Sequence, residues 1–507
     1  MQRRCDINVL AGRARQQQEV PNMAIGEASL ATRRFGLGPR PGDLKRIAGD
    51  PRGYVLASLA KPDAALLSAP NLQSTSTNLT AWQEANFAEQ VARAMAPPPA
   101  PAESKTADAK TADARSPDAK APAAPATTPA LPPRRDVFVE EAAARLERAA
   151  ITDAPFVERL VLFWSNHFSI SAAKGGNVRV MTGSFEREAI RPYVLGRFAD
   201  MLLAVEQHPA MLFYLDNAQS IGPNSPAGFN RGRGLNENLA REILELHTLG
   251  VDGGYSQADV TSFARVLTGW TVTDQRMILG KNREIKLGEF AFMPQRHEPG
   301  EQTVLAKIYP DRGVETGEAV LADLAKHPAT ARHIARKLVA HFVSEKQPPP
   351  ALVARLEKAF RDTGGDLAAV AKALASALEC WQTPPRKVVP PYDFTVSLMR
   401  AFDMKYNQVE ALRVAAAIGQ PLWQPPSPKG WPDEDDAWMG PSAVRERLRI
   451  AERIARLANN AKLDPRVTAD DLLGPSMSEQ SRQAIARAEA REQGLELLIM
   501  SPDFLRR

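Results

Sequence analysis

The side chains best spaced for chemistry lie between Gly234 and Trp270, in GLNENLAREILELHTLGVDGGYSQADVTSFARVLTGW. Asn236 and Asn238 stand where a Gly/Asn-rich loop enters a helix, and an asparagine oxygen there can accept a free first-turn N–H. The helix is expected over residues 237–249, closed by Gly250 in a left-handed conformation. At ~100° per residue, Asn238, Arg241, Glu242, Glu245 and Leu249 share one stripe, while Leu239, Ala240, Ile243 and His247 share the other. Two readings compete. In one, the stripe is a solvated face held by an Arg241–Glu245 pair at i,i+4 spacing. In the other, Asn238, Glu242 and Glu245 line a cleft, where the two carboxylates hold a divalent cation or share a proton and Arg241 holds an anionic group.

Further candidates come from elsewhere in the chain. Asn166 and His167 end an apolar helix (154–168), where polar groups must find partners. His167 is therefore either a core histidine bonded to backbone or a member of the site, as catalytic group or metal ligand alongside Glu242 and Glu245. His297, on the turn Arg296-His297-Glu298-Pro299-Gly300, either reaches over the cleft or is an ordinary loop residue. Asn236, Asn238, His297 and Trp270 are the expected substrate contacts. The stretch 419–438 holds Trp423, Trp431 and Trp438 among five prolines, followed by the acidic run Asp433–Asp436. Such a loop serves as an aromatic platform or plugs the edge of a core. His333 and His341 are eight apart with Arg336-Lys337 between them, and no H-x-x-x-H pair occurs.

These candidates need elements to position them, and the patterning is mainly helical. The helix at 237–249 and its neighbour from Ser256, which opens with the capping-box pattern Ser256-x-x-Asp259, should form a helical hairpin. Helical patterning also covers 78–95, 137–150, 154–168, much of 185–205, 315–345, 351–362, 366–381, 397–418 and 445–507. Only 288–308 reads as β, a small hairpin whose strands are Phe290–Phe292 and Thr303–Leu305. Residues 97–133 are almost wholly Pro, Ala, Lys, Asp, Thr and Ser, with KTADA twice in succession. They read as a disordered insert within one fold. The expected organisation is a disordered leader (1–22), an N-terminal part of the helical domain (23–96), the insert, and the main helical domain (134–507). The fold class is a single, bundle-like, mainly α domain with a β-hairpin insertion.

Composition narrows the function classes. The net charge of +5 is small for 507 residues, and the 24% charged residues mix both signs, so nothing marks a nucleic-acid partner. The two cysteines, Cys5 and Cys380, exclude a disulfide framework or a Cys-rich zinc site, which leaves His and carboxylates as ligands for any metal. No apolar run reaches the ~18 residues a membrane span requires. Arg3-Arg4 is followed by too short an apolar run for an export signal, which favours the cytoplasm. No G-x-S-x-G, phosphate-loop or dinucleotide motif is present.

Several stretches carry a resemblance: the central motif 236–270, TRRFGLGPRPGDL (32–44), LVLFWSNHFSIS (160–171), HPAMLFYLDN (208–217), FMPQRHEPG (292–300), ARHIARKLVAHFV (331–343) and GQPLWQPPSPKGWPDEDDAWMGP (419–441). Together they resemble the bacterial family of domain of unknown function 1800, over most of the chain outside the leader and the insert. The resemblance begins near Met23, a candidate start. It brings no established reaction. It does imply a partner, because such proteins are often encoded beside the sulfatase-like family 1501, whose members often carry twin-arginine export signals. Co-export with that partner would place the chain in the periplasm. Two functions are open: metal-assisted or carboxylate acid/base hydrolysis in the polar cleft, or a non-catalytic binding or maturation role toward an exported sulfatase-like protein.

Overall fold

Pro155–His167 is the helix on which the fold is built, and eleven of its thirteen residues are buried. Proline at its first turn costs no hydrogen bond there. In the computed structural model, which describes residues 25–95, 136–229, 234–274, 286–403 and 407–507, this helix packs against Pro51–Ser58, Pro62–Ala65 and Glu186–Ile190. The leader and the low-complexity insert lie outside the described residues. The chain is mainly α, as its patterning predicts. Long helices run over Thr75–Met95, Val137–Ile151, Val314–Lys326, Pro328–Phe342, Pro350–Asp362, Pro391–Phe402 and Pro441–Asn460.

Three apolar clusters make up the interior. The largest joins residues from Ala28 to Trp381. Phe35 sits at its centre, with ring centroids 5.3 Å from Phe156 and 5.1 Å from Trp381, so distant segments share one aromatic core. A second cluster lies within residues 389–505. A third, from Leu37 to Trp423, joins the Val137–Ile151 helix to the Pro391–Phe402 helix.

Two helices contain a widened π turn, at Glu186–Ile190 and Ile243–Thr248. Such turns insert one extra residue, rotate the helix beyond them, and recur at functional sites. The first places Glu186 in a fully buried ionic network. Arg191 bonds Glu158 at 2.7 and 3.0 Å, Glu186 at 3.0 Å and the Ala65 carbonyl at 2.8 Å. Arg145 meets the other Glu186 oxygen at 2.8 Å. Two carboxylates and two guanidinium groups thus neutralise one another where neither sign could stand alone.

The β structure departs from expectation. Phe290–Phe292 pairs antiparallel with Trp270–Val272, and Gln302–Val304 pairs with Lys307–Tyr309. There are two small sheets instead of one hairpin over 288–308. The second turns at Leu305-Ala306, both at positive φ (51° and 60°). No glycine marks that turn in the sequence, which is why it is illegible there. Asp259 holds it, accepting Leu305 N–H at 2.7 Å while also completing the expected capping box with Ser256.

Candidate functional site

The central helix is half what its spacing predicts. Asn238–Glu242 is α-helical and Ile243–Thr248 is π. Asn236 accepts the Asn238 N–H at 2.9 Å and donates to the Leu215 carbonyl at 3.1 Å. It is a structural clasp with its amide already engaged. Asn238 is exposed. Arg241 pairs with Glu237 at 3.0 Å, not with Glu245, and bonds Gln257. Glu245 accepts from the Tyr255 hydroxyl at 3.3 Å. Glu242 and Glu245 are half-buried. Burial pushes the Glu242 carboxyl up from its ordinary value, with Glu245 and Glu206 adding to the push against His247 and Arg241. Burial, helped by Glu242, pushes Tyr214 up to about 12.

Other expected site residues lie apart from that stripe. Trp270 is fully buried, packed against Gly317 and Phe290, where it cannot meet a substrate. His297 is 8% exposed with both nitrogens engaged, by the Thr268 carbonyl at 2.9 Å and Asp311 at 3.3 Å. Its segment pins the preceding loop, since Gly222 N–H donates to the Arg296 carbonyl and Asn224 to Glu298. His297 is therefore scaffolding and does not reach over a cleft. His167 does meet the central helix, but from the core side, donating to the His247 carbonyl at 3.1 Å. Burial holds it well below the usual histidine value. Beneath it, His247 donates to Glu206 at 2.7 Å with both fully buried. Among the described residues no three His, Cys, Asp or Glu side chains gather as ligands for a metal ion.

A different constellation forms on the helix Pro328–Phe342. His333, Lys337 and His341 are four residues apart and share one face. His341 lines a cavity of about 90 Å3 together with Arg145, Asn166, Tyr392, Trp423 and Trp431. The 419–438 loop roofs it. Asn166 and Trp431 exchange two hydrogen bonds, at 2.9 and 2.7 Å. Gly430 makes this closure possible: at φ +84° it sits where a Cβ would lie 2.5 Å from the Asn166 carbonyl oxygen. Trp423 is held at φ +50°, strained for a bulky residue, with its indole N–H toward Glu186 at 3.3 Å. Two of the three tryptophans are buried, Trp423 at 8% and Trp438 at 4% exposure. The loop is therefore a lid that also plugs the core edge.

Inside the cavity, His341 Nδ1 lies 3.1 Å from an Asp433 oxygen. A carboxylate only accepts, so Nδ1 carries a proton, and in the neutral ring Nε2 presents a lone pair. His341 Nε2 and the Tyr392 hydroxyl, both buried, have no partner among the described residues. Burial works against the Asp433 anion, yet His341, Lys387 and Lys337 together hold its pKa below the ordinary value.

Lys337 has the opposite problem. Burial pulls its ammonium down from 10.5 to about 8, with Lys429 adding to the fall and Asp433 resisting it. Lys337→Met should raise the free energy of unfolding at pH 7 by about 1 kcal/mol, because a half-buried charge is replaced by an apolar chain of similar length. The folded protein gives up this proton near pH 8 and the unfolded chain near 10.5. Wild-type stability therefore rises through that window, and the variant's advantage shrinks. Melting curves at pH 7 and pH 10 measure both effects; an equal advantage at the two pH values would contradict this.

Of this constellation, sequence reasoning singled out Asn166, the spacing of His333 and His341, and the Trp/Pro loop with its acidic run. It missed the His341–Asp433 pairing, which spans 92 residues, as well as Tyr392 and Arg145, which carry no local signal. Fold and cavity together define a mainly helical protein with a lidded, polar-and-aromatic cavity. The chain belongs to the family described as protein of unknown function (DUF1800), whose model matches residues 30–506. No curated protein and no solved structure matches it. No helix among the described residues is long and apolar enough to cross a membrane.

Proposed function

We propose that this chain binds a small polar molecule, or the end of a longer one, in the cavity under the Pro/Trp loop, and acts on it by proton transfer. One observation carries the reading: a carboxylate-oriented histidine lines the same cavity as a tyrosine hydroxyl, and neither its Nε2 nor that hydroxyl has a partner among the described residues. His341 is the base, Asp433 fixes its tautomer, and Tyr392 offers a hydrogen bond to the reacting group. Arg145 and Arg507 are already matched by Glu186 and Asp393, which favours an uncharged ligand. A volume of about 90 Å3 corresponds to about three water molecules.

Hydrolysis through Glu242 is a second reading. The raised Glu242 carboxyl, close to Glu245, supports a proton-donating role for it, with Arg241 beside it. The binding role toward a sulfatase-like partner rests on the loop as contact surface, and burial of Trp423 and Trp438 weakens it.

The test is a thermal-shift screen of wild type against small polar metabolites, followed by turnover of each compound that binds. His341→Gln and Tyr392→Phe should abolish the shift or slow turnover about 100-fold, while Glu242→Gln leaves both intact. Full turnover in His341→Gln sinks the reading, and loss confined to Glu242→Gln transfers the chemistry to the central helix. A screen in which no compound shifts the wild type counts against the cavity as a ligand site.

A further inference from the structure

We infer that a second groove, toward the start of the same helix face, is a binding site for a phosphate group, and in particular for a phosphorylated small molecule. This groove has a volume of about 400 Å3 and is lined by the turn 249–253 on one wall and by Arg332, His333, Arg336, Lys337 and Glu345 on the other. That volume is within the range of small-molecule sites and exceeds what a bare phosphate fills.

The charges in the groove do not cancel. Glu345 is engaged by Lys387 at 2.8 Å, and Arg332 is engaged by Glu357 at 3.3 Å. Among the described residues no carboxylate lies within salt-bridge distance of Arg336 or Lys337. Lys429 adds a further positive charge close to Lys337, and Asp433, the acid that Lys337 feels, is committed to His341. Asp252 is the remaining acid of the lining, exposed on the opposite wall. A guanidinium and an ammonium on adjacent residues, both without carboxylate partners among the described residues, offer several donors to a multivalent oxyanion.

His333 indicates what else the ligand carries. Its Nε2 donates to the Leu246 carbonyl at 3.1 Å, so Nδ1 keeps a lone pair. Burial and Lys337 hold the ring neutral, with its pKa down to about 4. Gly250 permits the wall's close approach, because a Cβ there would lie 2.8 Å from Nδ1. A neutral acceptor beside two cations suits a molecule with both a phosphate and a hydroxyl, such as a sugar or glycerol phosphate. Free phosphate shares only the anionic half of that description. The half-buried Lys337, held in its charged form at a cost, is what a preorganised anion site requires.

Titration calorimetry at pH 7 with inorganic phosphate, glycerol 3-phosphate and ribose 5-phosphate tests this. At least one phosphate compound should bind, and the Arg336→Gln/Lys337→Met double variant should weaken it about tenfold or more while melting no lower than wild type. Esters binding more tightly than inorganic phosphate make the ligand a phosphorylated small molecule; equal affinity makes it free phosphate, which keeps the site and overturns the ester assignment. No heat from any probe up to about 5 mM, or wild-type affinity in the double variant, overturns the proposal. Arg336→Gln alone, at an exposed position, serves if the double variant does not fold. Tyr392→Phe, which changes the lidded cavity and not the groove, should leave phosphate binding unchanged, which separates this site from the lidded cavity.

Discussion

Arg191→Met should destabilise the protein by about 3–5 kcal/mol. Arg191 is fully buried and is the only cation within bonding distance of Glu158 among the described residues. Without it, Glu158 keeps a charge in an apolar surround, and Glu186 keeps Arg145 as its one cation among the described residues. The protein would relieve this by protonating Glu158, so the deficit should be smaller in mildly acidic buffer than at pH 7. Glu158→Leu combined with Arg191→Met should recover most of the loss, because removing both partners of a buried pair leaves no orphaned charge. Urea unfolding of wild type and both variants at pH 7 and pH 5 gives the comparison. A single-variant loss below about 1 kcal/mol would mean that water reaches the network and that the ion pair is not what anchors the Glu186 turn.

Gly430→Ala should unfasten the lid while leaving the body of the protein folded. The added methyl would meet Asn166 backbone and side-chain oxygens at 2.5 and 2.7 Å, and the residue would be forced to hold φ +84°, at a cost of about 1–2 kcal/mol. The two hydrogen bonds between Asn166 and Trp431 add about 0.5–1.5 kcal/mol each when lost. Together these exceed what a loop of this length can absorb in place. Amide exchange should accelerate across residues 423–438 with little change across 314–381, and tryptophan fluorescence should shift red as Trp431 and Trp438, 6.0 Å apart, gain water. Ligands of the lidded cavity should bind more weakly. Unaltered exchange in the loop would show that it is fastened by something other than Asn166.

Much of the scaffold was legible from residue patterns. Helix existence followed from apolar spacing, the Ser256–Asp259 cap from its motif, and the polar end of the Pro155–His167 helix from Asn166 and His167. Failures have identifiable causes. The π turn at 243–248 removes the regular period on which the Arg241–Glu245 pairing rested, so Arg241 turns back to Glu237. The strand Phe290–Phe292 joined Trp270–Val272 because a β partner is set by tertiary contact and not by proximity in sequence.

Local spacing therefore determined the helical class and the positions of most helices, because periodicity and capping act within a few residues. It also marked the polar helix, the Asn-His terminus and the Pro/Trp loop as unusual. Tertiary structure decided which of them meet. His341 and Asp433 stand 92 positions apart, and Arg145, Glu186 and Tyr392 come from three separate segments. Such pairings are chosen by the need to neutralise or satisfy every buried charge and hydroxyl once the core has closed, a requirement imposed by the packed interior and written in no single stretch of the chain.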